Sequence, residues 1–275
     1  MTADIRVINE FLESLTQHPA GPDEVRFGDT LFYDWDASIP YESDLYAVEI
    51  EKDPDRDFVI LNFADIQCHD GEAFSEVGEF AEETMDKLIR KTKPDLITLT
   101  GDNAFDAFAY LRLIRFIDSY GIPWCVVFGN HDNESGKGVR WQVEQLLKSE
   151  YCIFKQGSVS GNSNYNLLIR QGGEAKCLLY MLDSNGCKVK PSNPGEGMMP
   201  DNPDIDLIVQ DGGFRNDQIS WMRNSGKSIR KAYGEVPSLL FFHIPDYTAW
   251  KLTKEIYGDR MDTFPFTPDR EGDLG

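Results

Sequence analysis

The sequence predicts an α/β protein organised on a parallel sheet, and three observations carry that prediction. From Phe58 onward, short apolar runs alternate with amphipathic stretches of helical period, the pattern of successive βαβ units. Each apolar run closes on a polar residue able to bind metal or move a proton, which places the chemistry at one end of the sheet. The chain has 275 residues, 41% hydrophobic and 27% charged, enough to bury a large core, and a single large α/β domain is favoured over two small ones.

Taken in order, residues 1–57 open with a short helix, "DIRVINEFLESL", and continue into "EVRFGDTLFYDW" and "LYAVEIE", which read as strands or extended cover. Residues 58–275 form the main domain. "FVILNFAD" is an apolar strand, "EVGEFAEETMDKLIRKT" an amphipathic helix with a solvated acidic face, and "DLITLTGD" a second strand. "AFAYLRLIRFIDSY" is a helix, "PWCVVFGN" a strand and "KGVRWQVEQLLKSE" a helix. The pattern then changes. "SNYNLLIR" and "AKCLLYMLDS" flank "QGGE" and read as an antiparallel hairpin in which Tyr165, Leu167 and Ile169 alternate with polar partners. The Pro/Gly/Asp-rich stretch from Asn185 to about Gly213 is too long for a simple connector and reads as a lid or a specificity loop. "NDQISWMRNSGKSIRKAY" is a helix and "SLLFFH" a last apolar strand.

The formal net charge of −20 repels nucleic-acid phosphates and anionic membranes, so neither is an expected partner. It leaves room for an anionic substrate, because carboxylates that hold cations add negative formal charge while the loaded site is locally positive. No run approaches the ~18 apolar residues that span a bilayer, and Asp4, Glu10 and Glu13 stand where a secretory signal needs basic and then apolar residues. The five cysteines form no CxxC pattern. They read as buried reduced thiols, and the expected location is cytoplasmic.

Asp65 ends the first regular strand, Asp102 the second, Asn130 and His131 the third, and His243 the last. Each alone has a plain alternative: a helix N-cap for the aspartates, a turn for Asn130 and His131, a core histidine for His243. Together they are ligands suited to Mn²⁺, Zn²⁺, Fe²⁺ or Mg²⁺. A pair of such ions ~3.5–4 Å apart activates water and stabilises charge on a phosphoryl group.

"FADIQ", "TGDN", "FGNHDNE" and "FFHIPDY", in that order on strand ends, resemble the calcineurin-like metallophosphoesterase superfamily, and with "NDQISWM" its purple-acid-phosphatase-like branch. The resemblance implies an α/β fold, a four-layer α/β/β/α sandwich of two stacked mixed sheets with two divalent metal ions at the carboxyl ends of the strands. It implies Asp65 as a ligand of the first metal, Asp102 as the bridge, and Asn130 and His243 on the second. His131 would stand beside the phosphate, stabilising the transition state or protonating the leaving alcohol, Asp132 would orient its imidazole, and Asn103 would contact substrate. The implied reaction is hydrolysis of a phosphate mono- or diester, carried by a small molecule or a phosphoprotein, by hydroxide held on the metals.

The chain departs from the family pattern in three places. Gln67 stands where D-x-H has its histidine, so the first metal has an amide there, with His69 two residues on as another possible donor. Phe105 stands where purple phosphatases have an iron-binding tyrosine, so no Fe(III) chromophore is expected. No G-H-x-H follows His243, which leads to the expectation that the domain lacks its last strands and that the chain to Gly275 is a poor catalyst. The alternatives are an incomplete gene product and a non-catalytic binding or scaffold protein with a degenerate metal site.

Overall fold

A computed structural model describes residues 32–34, 47–68, 75–132, 137–186 and 212–245. The expected opening helix, His69, Cys187 with most of the Pro/Gly-rich stretch, and everything after residue 245 lie outside the described residues. The strands are β1 (Phe32–Asp34), β2 (Val48–Glu51), β3 (Ile60–Phe63), β4 (Leu96–Thr100), β5 (Trp124–Val127), β6 (Tyr165–Gln171), β7 (Glu174–Met181) and β8 (Ser238–Phe241). The helices are α1 (Ser75–Thr92), α2 (Ala107–Asp118), α3 (Gly138–Leu146) and α4 (Asn216–Tyr233).

The βαβ pattern becomes a three-stranded sheet ordered β3-β4-β5, parallel throughout. Its central strand, "LITLT", is buried at every position, as a strand covered on both faces must be. A second sheet has the order β1-β2-β6-β7-β8 and is mixed, with β2–β6 and β7–β8 parallel and the other pairs antiparallel. The stretches expected as strands or cover before residue 57 therefore supply two members of this sheet.

The hairpin turns at Gly172 and Gly173, both at positive φ (59° and 87°), the sign a two-residue turn needs to match strand twist. Its strands are not polar on one face as the alternation suggested. Tyr165, Leu167 and Ile169 enter the larger core, while Leu168, Leu178 and Tyr180 pack on the opposite face against Trp221, Met222 and Ile229 of α4. Asn166 is also fully buried, its Oδ1 accepting from the Ala47 amide at 3.0 Å.

Across the gap between sheets, the Tyr165 hydroxyl donates to the Val126 carbonyl (2.8 Å) and accepts from the Val126 amide (3.0 Å). Cys125 Sγ lies 3.9 Å from Met181 Sδ. The two sheets are thus stacked, with α1, α2 and α3 sharing the core of the three-stranded sheet and α4 outside the larger one.

Helix α2 is capped by Asp106, whose carboxylate accepts from the Phe108 and Ala109 amides. The acidic face of α1 is only partly solvated: Glu82 binds Arg112 of α2, and Asp86 accepts from the Tyr120 hydroxyl at 2.6 Å. Cys68, Cys125, Cys152 and Cys177 are free thiols. Among the described residues no helix is long and apolar enough to cross a membrane.

Candidate metal centre

Beyond β3 and β4 the two chains stay in register after the sheet ends. The Asp65 amide donates to Gly101 O, Gln67 N to Asp102 O, and Cys68 N to Asn103 O. Within this paired turn Asp65, Gln67 and Asp102 all have positive φ, 53°, 48° and 53°. Three non-glycine residues in the left-handed region, side by side, mark backbone strain of the kind that collects at functional sites.

Two glycines make the close approach possible. A Cβ on Gly101, itself at φ +92°, would strike the ring of His243, and one on Gly129 would strike Asp102 Oδ1 and the Asp102 amide. The imidazole from the end of β8 and the loop after β5 therefore seat against the Gly101–Asp102 turn.

His243 shows how the centre is built. Its Nδ1 donates to the Thr100 carbonyl at 2.9 Å, because a carbonyl can only accept. That bond commits the neutral ring to presenting a lone pair at Nε2, as in a metal-binding histidine whose other nitrogen donates to a carbonyl. Nε2 faces Asn130 Oδ1 at 3.1 Å and Asp102 Oδ1 at 3.4 Å, and both of these are acceptors too. Three acceptors turned on one another need a cation between them or a proton on the ring.

Without a metal, the proton takes that place. Burial pulls the His243 pKa down, but the hydrogen bond to Asp102 and the charges of Asp102 and Asp65 outweigh it and raise it to about 9. Asp102 is held below the usual carboxylate range, because both histidines outweigh the burial that would raise it. Burial raises Asp65. One ligand atom from each of Asp65, Asp102 and His243 lies within 4.8 Å of the others, so the donor set and spacing suit a divalent ion.

The strand-end residues Asp65, Asp102, Asn130 and His243 are brought together. Gln67 reaches the group as well, its Nε2 3.4 Å from Asp102 Oδ2. His131 stands at the rim with its side chain about a third exposed (36%), Nε2 4.0 Å from Asp102 Oδ2. Its amide donates to Asp102 Oδ1 at 2.9 Å, and its ring meets Phe105 edge-on at 5.4 Å.

Asn103 and Asp132 are turned inward instead. Asn103, expected at substrate, is 1% exposed, its Nδ2 donating to Val127 O and Asp132 Oδ2. Asp132, expected behind His131, is fully buried and accepts from the amides of Gly129 (2.6 Å), Asp102 (2.9 Å) and Asn103 (2.7 Å). It pins the loop after β4 to the loop after β5. Burial raises its pKa to about 7 against the opposing pull of the Gly129 amide.

Sequence reasoning missed this hub and the Thr100 carbonyl. The only local signal was that Asp132 lies in the polar stretch that follows the apolar run ending at Phe128.

The family profile described as calcineurin-like phosphoesterase matches residues 58–259, from the start of β3 past the end of β8. Among curated proteins, probable inactive purple acid phosphatase 29 of Arabidopsis thaliana is 28% identical over 187 residues, 58% of this chain and 44% of the relative. Probable inactive purple acid phosphatase 28 of the same plant is 27% identical over 181 residues, 58% of this chain and 43% of the relative. Phosphatase DCR2 of Saccharomyces cerevisiae is 26% identical over 170 residues, 52% of this chain and 29% of the relative. The chain thus spans less than half the length of each of these three relatives.

Proposed function

This chain belongs to the calcineurin-like phosphoesterase family, and from that premise we propose that it hydrolyses phosphate mono- or diesters with divalent ions held at its strand ends. The observation that carries the reading is His243, its Nδ1 committed to Thr100 O and its Nε2 aimed at Asn130 and Asp102. Asp102, Asn130 and His243 would hold one ion; Asp65 and Gln67, with Asp102 shared, would hold a second. Manganese is the first candidate. Bound ions would polarise the phosphoryl group and acidify the attacking water.

His131 fits the acid that protonates the departing alcohol. It is exposed enough to meet substrate, and its own amide is anchored on Asp102 Oδ1, which fixes its distance from the ligand cluster. The edge contact with Phe105 restricts the tilt of the ring. Substrates would be phosphorylated small molecules or phosphoproteins. The free thiols agree with a reducing compartment, the cytoplasm.

A second reading, a binding protein with a degenerate centre, has a specific observation behind it. Gln67 turns its NH₂ group, not its carbonyl, toward Asp102, and two of the named relatives carry "probable inactive" in their names. Mn²⁺ titration together with assays on p-nitrophenyl and bis-p-nitrophenyl phosphate separates the two. Mn²⁺-dependent hydrolysis lost in Asp102→Asn is expected. Mn²⁺ binding without hydrolysis of either ester, or no binding at all, would overturn the hydrolase and leave the second reading; hydrolysis of either ester would overturn the second.

A further inference from the structure

Behind the metal centre lies a second buried polar cluster that no ligand role uses. Asp183, just past the end of β7, is 4% exposed. Its carboxylate accepts from the Asn162 amide (2.7 Å), the Asn185 amide (2.9 Å), and both the amide and the hydroxyl of Ser163. Among the described residues no cation stands beside this carboxylate, and hydrogen bonds hold it in its buried place. Gly161 allows the approach, since a Cβ there would press on Asp183 Cβ and Cγ.

Two serines lead from this corner to the centre. Ser163, whose hydroxyl proton goes to Asp183, accepts from the Phe128 amide at 2.9 Å, two residues before Asn130. Ser184, next to Asp183, accepts from the Ile244 amide at 2.8 Å, one residue after His243. Ser163 and Ser184 are both fully buried. Asn130 and His243 leave two different sheets and meet at 3.1 Å, so something outside both strands must set that distance.

The Asp183 backbone is itself fixed from α4. Gln218 Nε2 donates to Asp183 O and to Asn164 Oδ1, both at 2.7 Å, and Asn164 Oδ1 also takes the Asp183 amide at 3.1 Å.

We propose that the Asp183–Ser184 corner, acting through Ser163 and Ser184, is a clamp that sets the spacing of Asn130 and His243, making these three residues positioning residues for the metal. The inference rests on the metal-binding reading of the site and extends it to residues remote from any ion. Its physical basis is that a ligand's hold on a metal depends on how firmly its own backbone is placed. Loss of an outer partner typically weakens affinity ~10–100-fold.

The test is Mn²⁺ binding by the full chain, measured by titration calorimetry and by electron spin echo, in which a coordinated histidine nitrogen modulates the Mn²⁺ signal. The parent should bind Mn²⁺ and show that modulation. Ser163→Ala and Ser184→Ala should each weaken binding by ~10-fold or more, and Ser184→Ala alone should diminish the histidine modulation. Ser184→Thr, which keeps a hydroxyl, should restore both. Asp183→Asn should weaken binding at least as much as either serine variant.

Thermal melting of the metal-free variants shows whether each is folded; where Asp183→Asn is not, the serine variants decide alone. Unchanged affinity and modulation in both alanine variants would overturn the clamp while leaving the metal site standing. Failure of the parent to bind Mn²⁺ would overturn both.

Discussion

His243 Nε2 and Asn130 Oδ1 lie 3.1 Å apart although 113 residues separate them. The amide comes from the end of the parallel sheet and the imidazole from the end of β8 in the mixed one, so the contact forms only when the two sheets stack. With Nδ1 already donating to Thr100, the ring can hold a proton or a metal at Nε2, but not both.

That exclusivity makes metal binding pH-dependent. The His243 pKa is raised from its ordinary 6.5 to about 9, so near neutral pH an entering Mn²⁺ displaces a proton. Calorimetry in buffers of different ionisation enthalpy should record about one proton released per ion, with affinity rising as pH approaches 9. His243→Ala should abolish the release. In the metal-free protein the same shift has a defined sign: a group whose pKa is raised on folding stabilises fully below its unfolded value and loses that contribution as pH climbs through the folded one. The His243 contribution to denaturant stability should therefore fade between about pH 6.5 and 9, and a flat profile there would refute the assignment.

Asp132 carries the next expectation. Removing its carboxylate leaves the amides of Gly129, Asp102 and Asn103 without their acceptor, and each buried orphan costs roughly 1–3 kcal/mol. Asp132→Ala should lower the melting temperature by on the order of 10 °C and lose Mn²⁺ affinity with it, since the loops that carry Asp102 and Asn130 come apart. A melting point within about 2 °C of the parent would show that the two loops are held some other way.

Strand-end aspartates, Asn130 and His243 were legible in the sequence because each ends a short apolar run, and a parallel sheet delivers such ends to one side. Asp132 and Asn103 were not. Their placement answers the needs of backbone amides in two loops about 30 residues apart, and no local pattern encodes that demand. The same holds for β2: "LYAVEIE" reads as a strand or extended cover, but nothing in it says that it pairs with β6 in parallel. Leu168 was hidden by its neighbours, since the alternation of Tyr165, Leu167 and Ile169 gives no hint that α4 covers the other face.

His131 separates chemistry from binding. It reaches the centre through its backbone amide, while its side chain stays at the rim. His131→Ala should keep Mn²⁺ affinity within a few-fold and cut turnover of bis-p-nitrophenyl phosphate by ~10²–10⁴-fold, the range for a lost acid–base group. A parallel fall in metal content would make it a ligand instead.

Gln67 is where the centre should be improvable. Its side chain already reaches Asp102 Oδ2, at 3.4 Å, and its backbone sits at φ +48°, a conformation in which histidine is several-fold enriched. Gln67→His should therefore fit without new strain. It exchanges an uncharged amide, turned to donate, for an imidazole whose lone pair can point at an ion shared with Asp65 and Asp102. Imidazole is the better ligand for Mn²⁺ and Zn²⁺, and the gain would fall on the ion proposed for Asp65 and Gln67. Titration of the variant should show a second Mn²⁺ binding event tightened by ~10-fold or more, the scale on which single changes around a metal act. Turnover of bis-p-nitrophenyl phosphate should rise with it, because two ions stabilise the attacking and leaving oxygens together. An isotherm superimposable on the parent's would mean that Gln67 stands beside the centre without entering it.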